Sequence, residues 1–110
     1  MQQSKSNNKK IVEIDPRANK EIKSFPKGAQ KEMRSALDAL GKLGFLRGPK
    51  GKRINSGLFE IRIDYQGQFR SLYAYLGHPT IIVLSAFQKK TQKTPMKEIR
   101  KAKQRLREYL

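Results

Sequence analysis

The segment Thr80–Ala86 constrains the fold most, because it is the most apolar run in the chain. Its odd and even positions are both largely apolar, so a strand formed there would have no polar face. Such a strand belongs inside a sheet that is covered by helices. The sequence therefore predicts a sheet built around this segment, with helices packed against it.

Two further strand candidates precede this segment, Leu58–Asp64 and Phe69–Leu76. Short turn signals separate the three strands, Gln66-Gly67 before the second and His78-Pro79 before the third. Turns this short join neighbouring strands that run in opposite directions. We therefore expect an antiparallel meander that ends at Phe87.

Helical periodicity predicts two helices before the meander, preceded by a short strand at Ile11–Ile14. The first helix begins after Asp15 as N-cap, with Pro16 in its first turn. The second begins near Pro26 and ends at Gly44, which suits a C-cap. The apolar stripes are Ala18, Ile22 and Phe25 in the first helix, and Ala29, Met33, Ala36, Leu37, Leu40 and Leu43 in the second.

We expect a loop over Phe45–Gly57, which is rich in Gly, Pro and basic residues, and a last helix from Pro95 with Thr94 as N-cap. The apolar edge of that helix is thin, so it either docks on the sheet through this edge or moves. Its members are Met96, Ile99, Ala102 or Lys103, Leu106 and Leu110. The element order predicts one small α+β domain over residues 9–110, after a disordered tail at 1–8. Its sheet is antiparallel-rich, with two N-terminal helices packed on one face and a basic C-terminal helix.

The charge of the chain predicts an anionic partner. Its 110 residues include 25 Lys and Arg against 9 Asp and Glu, a net charge of +16, which favours nucleic acid, acidic protein or anionic membrane. Membrane is the weakest of the three, because no apolar run approaches the ~18 residues that span a bilayer. The absence of cysteine and the single histidine exclude thiolate and histidine-rich metal sites. We expect a cytoplasmic protein without metal, cofactor or membrane partner.

Three lysines follow the apolar strand at once, in the segment Phe87–Pro95. Lys89, Lys90 and Lys93 are separated by hydroxyl and amide side chains, a composition suited to binding an anion. Loops held by a rigid scaffold are common places for binding and catalytic groups. The segment is therefore the first candidate for a functional site.

A resemblance to a known family rests on three segments, Leu58–Ile63, Phe69–Tyr75 and Phe87–Pro95. They are similar to segments of the RelE superfamily of type II toxins, and most of all to its phage-type HigB branch. The resemblance extends over roughly residues 9–110. It implies a RelE-like fold and a ribosome-dependent mRNA endoribonuclease, or mRNA interferase, that inhibits translation. It also implies three partners: mRNA, the ribosome and a cognate antitoxin of helix-turn-helix type.

The resemblance also implies site residues. By position, the basic residues that hold and polarise the scissile phosphate fall on Arg62, Arg70 and Lys89, with Lys90 beside them. We expect further RNA contacts from Lys50, Lys52, Arg53 and Lys93. The sequence departs from the family pattern in two ways. The loop after Phe87 has neither histidine nor tyrosine, and Glu60 takes a position that is often basic.

The chemistry expected of such residues is metal-independent. A ribose 2′-hydroxyl can attack the neighbouring phosphate when fixed cations stabilise the charge that develops on its oxygens, and arginines suit that task. Crowding of cations destabilises the charged form of a lysine. Lys89 and Lys90 are therefore the candidates for moving protons, unless the ribosome supplies the base.

Several assignments stay open in the sequence. Arg62 could instead form an ion pair with Glu60 or Asp64, and Arg70 is either buried with a partner or reaches into a cleft. A strict two-residue Gln66-Gly67 turn would place the two arginines on opposite faces of the sheet. A three-residue loop or a bulge would place them together.

Alternative functions stay open as well. The chain could be a non-catalytic basic binding protein, either a gyrase-inhibiting ParE-like toxin or a nucleic-acid-binding module, or an inactive relative. We interpret His78 as a turn residue. We interpret Tyr73 and Tyr75 as packing residues, with base stacking as the lesser alternative.

Overall fold

A computed structural model describes residues 9–55 and 57–110, and the predicted disordered tail at 1–8 lies outside them. The elements are β1 (Ile11–Ile14), α1 (Pro16–Lys23), α2 (Lys27–Leu43), a short 3-10 turn (Gly48–Lys50), β2 (Gly51–Asn55), β3 (Leu58–Asp64), β4 (Gln68–Tyr75), β5 (Thr80–Lys89) and α3 (Met96–Arg107). The predicted α+β fold is confirmed.

The five strands form one sheet in the order β1-β5-β4-β3-β2. β1 runs parallel to β5, and the other pairs are antiparallel, so the predicted meander of β3, β4 and β5 is confirmed. β5 is an interior strand with buried residues on both faces, as its apolar sequence requires.

The helices cover both faces of the sheet. α1 and α2 bury their apolar stripes on one face, and α3 packs on the other through Ile99, Ala102 and Leu106. The thin apolar edge of α3 is therefore sufficient for docking. Leu43 was expected in the core but is 54% exposed at the last turn of α2. Among the residues that the structure describes, no helix is long and apolar enough to cross a membrane.

Local signals place the helix ends with one exception. The Asp15 carboxylate accepts a hydrogen bond from the Arg17 backbone N–H at 2.8 Å, as an N-cap does. Gly44 ends α2 with φ of 83°, a left-handed conformation that favours glycine. The predicted N-cap role of Thr94 is wrong, because Pro95 occupies the N-cap position of α3. The Thr94 hydroxyl instead donates to Glu60.

The predicted loop over Phe45–Gly57 is also wrong, because it contains the edge strand β2. This strand pairs with β3 alone, with Lys52 opposite Glu60 and Arg53 opposite Phe59. Edge strands tolerate lysine and weak strand propensity, because one neighbouring strand supplies the hydrogen-bond ladder. Pairing with β3 therefore determines the structure of this segment more than its own composition does.

Side chains from two helices replace a missing strand beside the end of β5. β1 pairs with β5 only as far as Val83, so none of the described strands lies beside the next backbone groups on that side. Glu21 on α1 accepts from the Ala86 N–H at 3.0 Å, and Arg105 on α3 donates to the Leu84 carbonyl at 2.8 Å. Arg105 also pairs with Glu21 at 3.0 Å, so both helices hold the Leu84–Ala86 part of β5 in place.

The residues after α3 are held against the start of α1. The Tyr109 hydroxyl donates to the Asp15 carboxylate at 2.6 Å, and Arg17 bridges Asp15 and Glu108, each at 2.8 Å. The hydrogen bonds from Arg17, together with that from Tyr109, hold the pKa of Asp15 well below its ordinary value. The same bond to Asp15 raises the pKa of Tyr109.

We expect this carboxylate to make the fold acid-sensitive. Because the pKa of Asp15 is lower in the folded state, its contribution is present above its ordinary pKa of about 3.9 and is lost as the pH falls below it. Asp15→Asn should cost about 2 kcal/mol of unfolding free energy at neutral pH and less at each step below about pH 5. Chemical denaturation across pH measures this, with the exposed Glu13→Gln as control. An equal cost at all pH values would contradict it.

Candidate functional site

The β3–β4 register places Arg62 directly opposite Arg70. The connection is a three-residue loop, Tyr65–Gly67, with Asp64 paired to Gln68. Both arginines therefore lie on the face that carries α3, and the arrangement that a shared site requires is confirmed.

The conformation of this loop follows from its residues. Gln66 has φ of 51° and Gly67 has φ of 145°, and glycine adopts such positive values without strain. Tyr65 packs against Gly28 on α2 so closely that a Cβ at Gly28 would overlap the tyrosine ring. The contact between Tyr65 and Gly28 therefore holds the loop against α2.

A groove of about 730 Å³ lies between this loop and the segment after β5. Its lining residues are Gly67, Gln68, Gln88, Lys89, Lys90, Thr91 and Gln92. β5 is two residues longer than predicted, so Lys89 belongs to the strand, opposite Gln68 and on the same face as Arg70. Lys90 follows the strand and is exposed. The pairing therefore brings Lys89 and the two arginines to one face.

Arg70 lies beneath this groove and does not line it. It is 5% exposed, and its Nη1 donates to the carbonyls of Phe69 at 3.0 Å and Ile63 at 3.4 Å. Its Nη2 donates to the Gln68 side chain at 3.2 Å. Arg70 therefore reaches the groove only through Gln68, and the direct phosphate contact expected of it needs a rearrangement.

The nearby carboxylates pair with Arg70 and not with Arg62. Glu60 Oε1 lies 3.9 Å from Arg70 Nε, and Asp64 Oδ1 lies 3.6 Å from Arg70 Nη1. Arg62 instead donates its Nη2 to the Gly48 carbonyl at 3.3 Å. Across the described ranges, the alternative in which Arg62 forms an ion pair with an acid of its own strand is not realised.

Each of the two arginines, Arg62 and Arg70, has a buried Nε donor that makes no hydrogen bond within the described residues. Like charges directly opposite on a sheet repel, and buried donors without partners cost free energy. An anion that approached this pair would relieve both costs, so the arrangement suits phosphate better than a neutral ligand.

The predicted RNA contacts are divided between the two faces. Lys52 lies opposite Glu60 and shares the α3 face, whereas Arg53 lies opposite Phe59, which packs on the α1 and α2 side. The structure therefore does not bring Arg53 to the arginine pair. Lys50 is exposed in the 3-10 turn, and Lys93 is exposed beyond the groove.

Two sequence interpretations of other residues agree with their positions. His78 is exposed in the turn before β5, at the opposite end of that strand from Lys89. Tyr73 is buried on the α1 and α2 side and stacks on Phe59 at 5.5 Å between ring centroids. Burial raises the pKa of the Tyr73 hydroxyl. Tyr73 therefore packs in the core, and base stacking on it is excluded.

Sequence reasoning missed one side chain of the groove, the amide of Gln68. Gln68 at the start of β4 carries no charge and belongs to no site motif, so only its place at a strand end could have indicated it, whereas Gln88, Thr91 and Gln92 lie within the candidate segment Phe87–Pro95. Within residues 9–55 and 57–110, no three His, Cys, Asp or Glu residues are grouped closely enough to hold a metal ion.

The sequence of this chain matches a known protein family. Residues 20–107 match the family described as "Phage derived protein Gp49-like (DUF891)". The chain belongs to this family. No curated protein matches the Gp49-like chain significantly in sequence.

Solved structures show what the Gp49-like fold is similar to. A mutant of E. coli toxin RelE in the free state superposes with a TM-score of 0.68 at 14% identity, over 88% of this chain and 97% of that one. The toxin–antitoxin complex RelBE2 from Mycobacterium tuberculosis matches with a TM-score of 0.58 at 17% identity, over 74% of this chain and 99% of that one. The Gp49-like chain therefore has a RelE-like fold, as the resemblance predicted.

The burial of the two arginines predicts different costs of removing them. Arg70→Ala should lower the unfolding free energy by about 3 kcal/mol, because it leaves the buried Glu60 carboxylate without its cationic neighbour. Arg62→Ala should cost about 1 kcal/mol or less, because Arg62 is half-buried and makes one long hydrogen bond. Urea denaturation of the matched pair tests this. Equal costs for both variants would show that Arg70 has no special structural role.

Proposed function

We propose that this protein is the toxin of a type II toxin–antitoxin system, a metal-independent endoribonuclease that cleaves mRNA on the ribosome in the cytoplasm. The observation that carries the proposal is the pair of opposed arginines on the sheet face that also carries Lys89 of the groove, each with a buried Nε that has no hydrogen-bond partner in the described part of the chain. The family match and the printed descriptions of RelE and RelBE2 as a toxin and a toxin–antitoxin complex support it.

The proposed reaction is a transesterification within RNA. The ribose O2′ forms a bond to phosphorus while the bond from phosphorus to O5′ breaks, leaving a 2′,3′-cyclic phosphate and a 5′-hydroxyl. One proton leaves O2′ and another reaches O5′. Arg62 and Lys89 stabilise the charge on the phosphate oxygens, and Arg70 adds its field from beneath the groove. Lys50, Lys52 and Lys93 extend the positive surface along the RNA.

The proton carriers follow from the groove lining. Its side chains are lysines, glutamines and a threonine, and none of the residues that the structure places there is a histidine, tyrosine or carboxylate. Lys89 and Lys90 are therefore the candidates within the chain, and the ribosome is the other source of a base. Dependence on the ribosome is expected for such a site, because alignment of the RNA then supplies much of the rate.

The proposed antitoxin has a matching requirement. To inhibit the toxin it must cover the groove or neutralise the exposed lysines between Lys89 and Lys93. We expect an acidic segment at that contact, attached to a DNA-binding helix-turn-helix domain.

Removing the groove lysines, or Arg62 on the same face of the sheet, should abolish toxicity. The double variant Lys89→Ala, Lys90→Ala and the single variant Arg62→Ala should each lower mRNA cleavage by about 100-fold, because fixed donors at the phosphate are lost. Growth arrest and mapping of mRNA 5′ ends after induction measure this. Lys27→Ala, Lys31→Ala on α2 is the matched control, since it removes the same charge from the other side of the sheet. Full arrest and unchanged cleavage by the groove variants would refute the proposal.

The groove lining also supports a second candidate function. A site of lysines and amides without a conventional base can bind an anion without cleaving it. The chain would then inhibit gyrase as ParE-like toxins do, or bind nucleic acid. Intact mRNA together with DNA-damage signalling after induction would favour the gyrase inhibitor. Intact mRNA without such signalling would favour the binding module.

A further inference from the structure

Glu60 is a buried carboxylate among the cationic residues of the site. It lies on β3, is 1% exposed, and is flanked across the sheet by Lys52 on the β2 side. Its Oε2 accepts the Thr94 hydroxyl at 2.5 Å. Moving an ionised carboxylate out of water costs free energy unless hydrogen-bond donors and opposite charges offset the loss of hydration. We therefore expect Glu60 to have a structural or functional role that offsets this cost.

One role of Glu60 is to hold the segment that carries Lys90 and Lys93. At its first end, Lys89 is held by strand pairing with Gln68. At its other end, Thr94 is tied to Glu60 just before α3 begins. The segment is therefore fixed to the sheet at both ends, and the Glu60 carboxylate supplies the side-chain bond at the second.

The second role of Glu60 is to hold Arg70. The other carboxylate oxygen, Oε1, lies 3.9 Å from Arg70 Nε. Arg70 in turn donates to the Gln68 side chain, which lines the opposite wall of the groove. The one carboxylate is therefore linked to both walls, on one side by a hydrogen bond to Thr94, which follows the wall segment 89–92, and on the other by an ion pair without a hydrogen bond to Arg70, which bonds to Gln68.

We propose that Glu60 is a positioning residue, which holds the two walls of the groove at a fixed separation. Its effect on catalysis rests on the proposed ribonuclease function, whereas its effect on the segment 90–94 does not. The proposal opposes the simpler electrostatic expectation, in which an acid among cations only weakens the binding of RNA.

The two views separate affinity from rate. Glu60→Gln changes the net charge from +16 to +17 and keeps the size of the side chain. Electrostatics alone predicts tighter RNA binding and faster cleavage together. A positioning role predicts binding that is as tight or tighter and cleavage that is slower, because misplaced groups lose rate without losing charge.

The first experiment tests the hydrogen bond between Thr94 and Glu60 by a measurement that does not depend on RNA cleavage. Amide hydrogen exchange of residues 90–94 is compared between the wild type, Thr94→Val and Thr94→Ser. The valine variant should exchange about tenfold faster, because it loses one hydrogen bond to a charged acceptor, and the serine variant should restore protection. Thr80→Val at the other end of β5 is the matched control. Unchanged exchange in Thr94→Val would overturn the proposal.

The second experiment measures RNA affinity and cleavage rate separately, with the full-length chain. Binding to a short single-stranded RNA and cleavage of mRNA on translating ribosomes are measured for Glu60→Gln and for Glu32→Gln, which makes the same charge change on an exposed part of α2. Glu60→Gln should bind as tightly as the wild type or up to about threefold tighter, yet cleave about tenfold more slowly. Thr94→Val should also cleave about tenfold more slowly. Thermal unfolding of each variant confirms that the compared proteins are folded.

The outcomes are distinct. Faster cleavage by Glu60→Gln together with tighter binding would overturn the positioning role in favour of simple electrostatics. If the wild type cleaves no RNA on ribosomes, the proposed function fails, and the exchange experiment still decides whether Glu60 and Thr94 hold the segment.

Discussion

The register between β3 and β4 is the constraint on which the rest of the site depends. A three-residue loop pairs Asp64 with Gln68 and so brings Arg62 opposite Arg70 on the α3 face. A shift of one residue would turn one of the two arginines toward the α1 and α2 core and separate them. Such a shift is opposed by the apolar neighbours, because Ile61, Ile63 and Phe69 are buried on that other face. The core therefore determines the site by determining the register.

The charges of the site are arranged in two layers. Arg70 and Glu60 are buried in the sheet, and Lys89 and Lys90 lie above them at the groove. We assign the buried residues Arg70 and Glu60 the role of holding the walls of the groove, whereas Lys89 and Lys90 face the solvent. Burial of unlike charges is costly and rarely improves stability, so the arrangement is better explained by the geometry that it imposes. The Glu21–Arg105 pair acts in the same way on the end of β5, where it bonds to backbone groups beyond β1.

Much of the fold could be predicted because its signals are local. The apolar stripe of α2, the Asp15 and Gly44 caps and the strands of the meander each follow from neighbouring residues, and the structure bears them out. β2 could not be predicted, since its ladder comes from β3. The role of Thr94 could not be predicted either. A hydroxyl before a proline is an ordinary N-cap signal, and only the approach of Glu60 from another strand offers it a different acceptor.

The sequence by itself determined the fold class, the positive charge and most residues of the candidate site, because periodicity, turn residues and composition are properties of short segments. Only the tertiary structure decided how those residues are arranged. It placed Arg62 and Arg70 on one face, buried Arg70, turned Arg53 away and made Glu60 the contact between two walls. The physical reason is that alternation on a strand assigns faces only after the register is known, and the register depends on contacts between distant segments.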